Sequence, residues 1–234
     1  MEIPFGGERR MAIEELQARP SLSRERILRA AVGIMDAEGL DAVTMRRIGR
    51  ELGVEAMSLY NHVQDKAAIL DGVCEVVMAE FAFPPESDDW RDLVRSGARA
   101  WRDMLRSHPN VIALFAERKH PLSSIDALRP MEFALDVLRR SGLPDAEVVD
   151  AFRVLGGYIM GFVMIETGKM MSGMGGEQDA TREEVSEFLP AGAVPNFLAL
   201  LPHLGACEPD QNFDFGLALI ISGIEARVAA NPGR

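Results

Sequence analysis

Positive charge is in short supply in this sequence: 25 lysines and arginines stand against 36 aspartates and glutamates, for a formal net charge of -11. That balance excludes a protein that coats nucleic acid or an anionic membrane with a basic surface. Cysteine is scarce as well. Cys74 and Cys207 lie far apart with no CxxC spacing, which excludes a disulfide framework, fits a reducing compartment and reads both as small core residues. No run of about 18 apolar residues passes without polar interruption, and the opening MEIPFGGERRMAIEELQARP lacks the apolar core of a signal peptide. A soluble cytoplasmic protein with no membrane partner is expected. The imidazoles are His62, His108, His120 and His203, none at HxxxH or HxxE spacing. There is no GxSxG turn or phosphate-cradling glycine loop, and neither cysteine has a local basic partner, so enzyme chemistry has little to stand on.

What is present is apolar substance and helical periodicity. With 234 residues and 47% apolar composition the chain can bury a substantial core. Its acidity is uneven: residues 21–70 hold seven basic and seven acidic residues, so the whole excess of negative charge lies outside them. An acidic body can therefore carry a locally less acidic head.

Residues 1–20 mix charges with Gly6, Gly7 and two prolines and read as a mobile N-terminal arm. From Ser23 to Ala37, Ile27, Ala30, Ala31, Ile34 and Met35 recur at helical spacing, with Ser23 placed to cap and Gly39 following the end. Thr44 caps a second helix whose inward face is Met45, Ile48 and Leu52 and which Gly53 ends. A third short helix runs from Glu55 to His62, and a longer one from Lys66 to Phe81. Pro84 and Pro85 then break the pattern. Beyond them helices are expected over Trp90–Ser107, Asn110–Arg118, Ser123–Ser141, Asp145–Thr167, Val194–Leu204 and Phe213–Ala229, with a glycine-rich charged loop over 168–192 and no strand. The fold class is all-α: an N-terminal three-helix helix-turn-helix domain, residues 21–83 with its linking helix, joined to a C-terminal helical ligand-binding and dimerisation domain, residues 84–234.

Thr44 to His62 has the parts of a helix-turn-helix: a short helix, a glycine turn, and a second helix whose outer face is not greasy. Ile48, Leu52, Val54 and Leu59 can lock the two helices together. Met57, Ser58, Tyr60, Asn61 and His62 are then left on the outer face, and they suit a major groove. Asn pairs with adenine, Ser and Tyr donate to bases or phosphates, and Met touches a thymine methyl. Arg46, Arg47 and Lys66 are placed to hold phosphates and set register. Taken singly, each has another reading: Met57 as a merely exposed methionine, Tyr60 packing on the first helix, His62 capping its own helix. It is their order within one motif that points to DNA.

Residues 40–73, LDAVTMRRIGRELGVEAMSLYNHVQDKAAILDGV, resemble the tetracycline-repressor (TetR) family in the run T-x-R-x-I-G-x-x-L-G-V, in S-L-Y-x-H-V and in Asp65-Lys66. SDDWRDLVRSGARAWRDMLRSHP and FDFGLALIISGIEA look like the regulatory domain of the tetracycline repressors themselves. The resemblance implies operator contacts at Thr44, Arg46, Met57, Ser58, Tyr60, Asn61, His62 and Lys66. Ala56, Met57 and Asn61 replace the family's Gln, Pro and Trp, which implies a different operator. It also places the family's metal-binding His at Phe115 and its metal-associated Glu at Ile165, with Glu166 one position away. Both changes are apolar, so no metal and no cofactor are expected and the effector should be more apolar than a metal-bound tetracycline.

A small head reads too few bases alone, so a homodimer on a palindromic operator is expected. Phe213 to Ala226, apolar nearly all round and carrying Gly216, Ala218, Ser222 and Gly223, suits a helix buried against a partner or an ordinary core helix. Aromatics and methionines concentrate in the same half, and Trp101, Met104, Phe115, Phe133, Tyr158, Phe162 and Met164 are the candidate lining of an apolar effector pocket, although a plain core would use the same residue types. The expected function is a repressor released from double-stranded operator DNA by a small-molecule effector. A ligand-responsive activator and a ligand-binding protein without DNA binding remain as alternatives.

Overall fold

The computed structural model describes residues 21–117, 124–168, 192–204 and 208–230. The expected arm over 1–20 and most of the expected 168–192 loop lie outside the described residues, as do His120, Cys207, Met170, Met171 and Met174. Among the described residues the regular structure is helical, with no strand.

The head holds α1 (Arg24–Glu38), a single 3₁₀ turn (Leu40–Ala42), α2 (Met45–Leu52) and α3 (Ala56–Leu59). The linking helix α4 (Lys66–Ala79) follows, and the body consists of α5 (Trp90–Ser107), α6 (Val111–Glu117), α7 (Ile125–Arg140), α8 (Asp145–Glu166), α9 (Pro195–Leu204) and α10 (Pro209–Ala230). Side-chain caps start many of them. Ser23 Oγ accepts from the Arg26 amide at 3.2 Å, Thr44 Oγ1 from Arg47 at 3.1 Å and Asp65 Oδ1 from Ala68 at 2.8 Å. Each cap satisfies an amide that the helix cannot, so these starts are set locally.

Two boundaries differ from the sequence reading by more than two residues, each for a physical reason. The third helix is one α-turn, and Tyr60 to His62 continue as turns rather than as helix. The last helix begins at Pro209 instead of Phe213, because proline is suited to a first helical position, where no amide partner is needed.

One continuous apolar core runs through both parts. Ile27, Met35, Val43, Ile48, Leu59 and Ile69 are fully buried in the head, Val77, Met78 and Phe81 carry the core along the end of α4, and Leu105, Leu138, Val163 and Phe213 continue it in the body. Cys74 is buried within it, as its residue type suggested. α4 packs on both α1 and α7. The head is thus connected to the body by a helix that belongs to both cores.

Among the described residues α8 alone is long and apolar enough, by length and composition, to cross a membrane. One side of it packs on α5, α7 and α10. Val149, Val154 and Ile165 on α8 are exposed, as are Phe215 and Leu219 on α10.

Candidate nucleic-acid interface and ligand cavity

Gly53 makes the turn between α2 and α3. Its φ of 68° lies in the left-handed region that a side chain resists, and its amide closes α2 by donating to the Arg50 and Gly49 carbonyls. Gly49 sets how closely the helices approach. A Cβ there would stand 2.9 Å from the Val54 carbonyl oxygen and 3.2 Å from the Ala56 amide nitrogen, backbone atoms that cannot yield. Leu59 is fully buried beneath this turn, which fixes the rotation of α3 and turns its other face outward.

That outward face carries Met57, 74% exposed, and Tyr60, 47% exposed, with Asn61 and His62 also exposed and Ser58 half-buried. Thr44, Arg46 and Lys66 are exposed as well. Neither Arg46 nor Lys66 makes a salt bridge among the described residues, so both charges are open to a partner. Thr44 spends its hydroxyl as a cap while remaining at the surface.

Arg47 differs from its expected place. Its Nη2 lies 2.6 Å from Glu38 Oε1 and its Nη1 2.7 Å from Glu51 Oε2, joining α1 to α2. The hydrogen bonds it donates to these two carboxylates hold its pKa above the ordinary arginine value. Arg50, which the sequence reading did not select, is exposed near the end of α2 without a salt bridge among the described residues. Nothing in the local pattern separates Arg46, Arg47 and Arg50; the position of Glu38 on another helix does.

Below the head lies a cavity of about 470 Å³. α4 contributes Met78, α5 contributes Gly97 and Trp101, α6 contributes Phe115, α7 contributes Phe133 and Val137, and α8 contributes Phe152 and Met160, with Phe81 just beyond α4. The wall is almost wholly apolar, Arg153 being the one charged residue on it among the described residues. The Phe81 ring meets those of Trp101 and Phe133 at tilted angles, 6.0 and 6.1 Å away between centroids. Such a wall accepts an apolar or aromatic guest and gives little to a hydrated one.

Of the expected lining residues, Trp101, Phe115 and Phe133 are there. Met104, Tyr158, Phe162 and Met164 are not. Met104 is buried, and Met164 is half-buried against the core. Tyr158 donates to the Phe213 carbonyl at 2.7 Å, and Phe162 packs edge-on to Phe213 at 5.2 Å between centroids. They bind α8 to α10 instead. Met78, Phe81, Phe152 and Met160 were missed, although Phe152 and Met160 belong to the same concentration of aromatics and methionines.

Glu166, one position from the place that family register gave a metal-associated carboxylate, is committed elsewhere. It accepts from Arg102 at 3.0 and 2.8 Å, and Arg102 also donates to Asp210 at 2.8 Å while lying over the Phe213 ring. Phe115 and exposed Ile165 offer no donor, and no cluster suited to a metal occurs among the described residues.

A two-helix reading head on a bundle with an apolar cavity defines a ligand-responsive helix-turn-helix regulator. The sequence comparisons name its kind. Residues 27–73 match the family described as bacterial regulatory proteins, tetR family, and residues 83–228 match the tetracyclin repressor-like C-terminal domain. The chain belongs to the TetR family. Similar proteins include the HTH-type transcriptional repressor DrrR1 of Streptomyces coeruleorubidus, 32% identical over 92% of this chain and 82% of the relative. The class A tetracycline repressor from transposon 1721 of Escherichia coli is 26% identical over 86% of this chain and 89% of that protein. Among solved structures, apo ActR from Streptomyces coelicolor superposes with a TM-score of 0.75 at 29% identity, covering 91% of this chain and 99% of that one. ActR in complex with actinorhodin superposes with a TM-score of 0.74 at 30% identity, covering 89% and 99%.

Proposed function

We propose that a homodimer of this chain binds a palindromic operator through α3 and represses transcription until an apolar small molecule enters the cavity. One observation carries the reading: Met78 and Phe81, on and just beyond the helix that bears the head, are also cavity wall. A guest there meets α4 directly, so it can favour one head orientation over another, which is the differential contact that a population shift requires.

In this reading Met57, Ser58, Tyr60, Asn61 and His62 face the base edges, Thr44, Arg46, Arg50 and Lys66 face phosphates, and Arg47 braces the head. Trp101, Phe115 and Phe133 bind the effector, which needs no metal. The open faces of α8 and α10, with Val154, Phe215 and Leu219, meet their copies in the second subunit. The protein acts in the cytoplasm, where operator DNA is found, and has no catalytic role. The crystal structure of the similar protein ActR in complex with actinorhodin supports a small-molecule guest. Selecting bound DNA from a random pool tests operator reading: a palindrome with strongly salt-dependent affinity is expected, and a purified protein that enriches no sequence would overturn it. Thermal-shift screening of apolar compounds, followed by release of the selected DNA, tests the cavity.

A further inference from the structure

Three ionisable side chains meet where α1, α4 and α5 end. His108, directly after α5, is buried, with Nδ1 2.7 Å from Asp36 Oδ2 and Nε2 2.8 Å from Glu80 Oε2. Asp36 belongs to the last turn of α1, and Glu80 directly follows α4. Two residues beyond the histidine, Asn110 Nδ2 donates to the Met35 carbonyl at 2.7 Å. The body therefore grips two consecutive residues at the end of the head's first helix.

A ring that bonds an ionised carboxylate through each nitrogen must donate from both, so this geometry belongs to the imidazolium. Burial opposes the charge, but the two carboxylates outweigh it and hold the ring's pKa above its ordinary value. The charged groups acting on the ring are Asp36 from α1 and Glu80 from the end of α4; from α6 and the 3₁₀ turn alongside, none does among the described residues. Asp36 Oδ1 is buried without a hydrogen-bond partner among the described residues, and burial holds the Asp36 carboxyl above its ordinary pKa.

The cavity uses the same elements. Met78 and Phe81 bracket Glu80, Trp101 lies on α5 two turns before His108, and Phe115 lies on α6 shortly after Asn110. We propose that His108 is the positioning residue that couples the cavity to the reading head, its bridge from Glu80 to Asp36 holding α1 in the orientation that presents α3 to DNA. An effector that spreads Met78, Phe81 and Phe115 draws Glu80 and His108 away from Asp36 and frees the head. The inference rests on operator reading by α3, and its test separates the two.

DNA selected by the wild type is titrated with wild type, His108→Gln, Asp36→Asn and the double variant at about pH 6.5 and about pH 9, on either side of the range where a carboxylate-paired histidine loses its proton. The rest of the chain is the same in all four, so differences among them report the bridge. Each single variant should bind about tenfold more weakly at the lower pH, with the double variant no worse than either. The penalty should shrink at the higher pH, as the wild type loses the ring's proton and with it the bridge. Glu80→Gln, at an exposed position, should reproduce the pattern even if a buried variant folds poorly. Val148→Ala, which loosens the body core on α8 away from both the cavity and the cluster, should leave affinity within about twofold. A penalty equal at both pH values, or one matched by Val148→Ala, overturns the coupling alone. A wild type that selects no DNA overturns operator reading and the coupling with it.

Discussion

Arg47 is held by Glu38, its Nη2 2.6 Å from Oε1 and its Nε 2.9 Å from the same oxygen, so the middle arginine of α2 faces α1 and not solvent. Arg46 and Arg50 should behave differently from it. Replacing either by alanine is expected to lower the salt slope of DNA binding by about one and weaken binding uniformly across sequences. Arg47→Ala should leave that slope unchanged and lower the melting temperature instead. Fluorescence anisotropy over a salt series, with a thermal melt of each variant, distinguishes the two roles.

Gly49→Ala should damage the head more than Gly53→Ala. The first forces a Cβ to within 2.9 Å of the Val54 carbonyl, for a cost of about 1–3 kcal/mol. The second meets no neighbour but strains a left-handed residue, at about 1 kcal/mol. Because only the first pushes α3 away from α2, urea melts should show both losses while DNA affinity, measured where each variant is folded, falls chiefly for Gly49→Ala.

Ala134 lines the cavity on α7. Ala134→Phe is expected to occupy part of the 470 Å³ space, removing thermal shifts by apolar compounds while preserving DNA binding. In cells the variant should repress and no longer respond to inducer. Retained shifts would place the effector elsewhere. Magnesium should leave the wild-type melting temperature unchanged, since Glu166 is engaged by Arg102.

Leu219 is 60% exposed on α10. Leu219→Glu places a charge where a second subunit would desolvate it, so light scattering should show a shift toward monomer. Operator affinity should fall about tenfold or more, because one head reads half a site. A variant still dimeric at micromolar concentration would move the interface to another face.

His108 also makes stability depend on pH. Its folded pKa is raised above the ordinary 6.5, so its contribution is complete below that value and is lost as pH rises through the folded pKa. The difference in melting temperature between wild type and His108→Gln should therefore be larger at about pH 6 than at about pH 9. A difference that grows with pH would mean that the neutral ring is the form the fold prefers.

Ser23 and Thr44 as caps, Gly53 as the turn, and Ile48 with Leu59 as the lock between helices were all legible in the sequence, because each acts on neighbours within a turn or two of helix. The apolar pattern likewise determined an all-helical chain, and the order of exposed residue types after Gly53 pointed to DNA. The tertiary structure alone decided which arginine of α2 is spent on Glu38, which aromatics face a cavity and which join α8 to α10, and that His108 meets Asp36 across 72 positions of chain. Periodicity states that a side chain faces inward without stating what it meets there. Partners so far apart are chosen by how whole helices pack, and no local spacing records that choice.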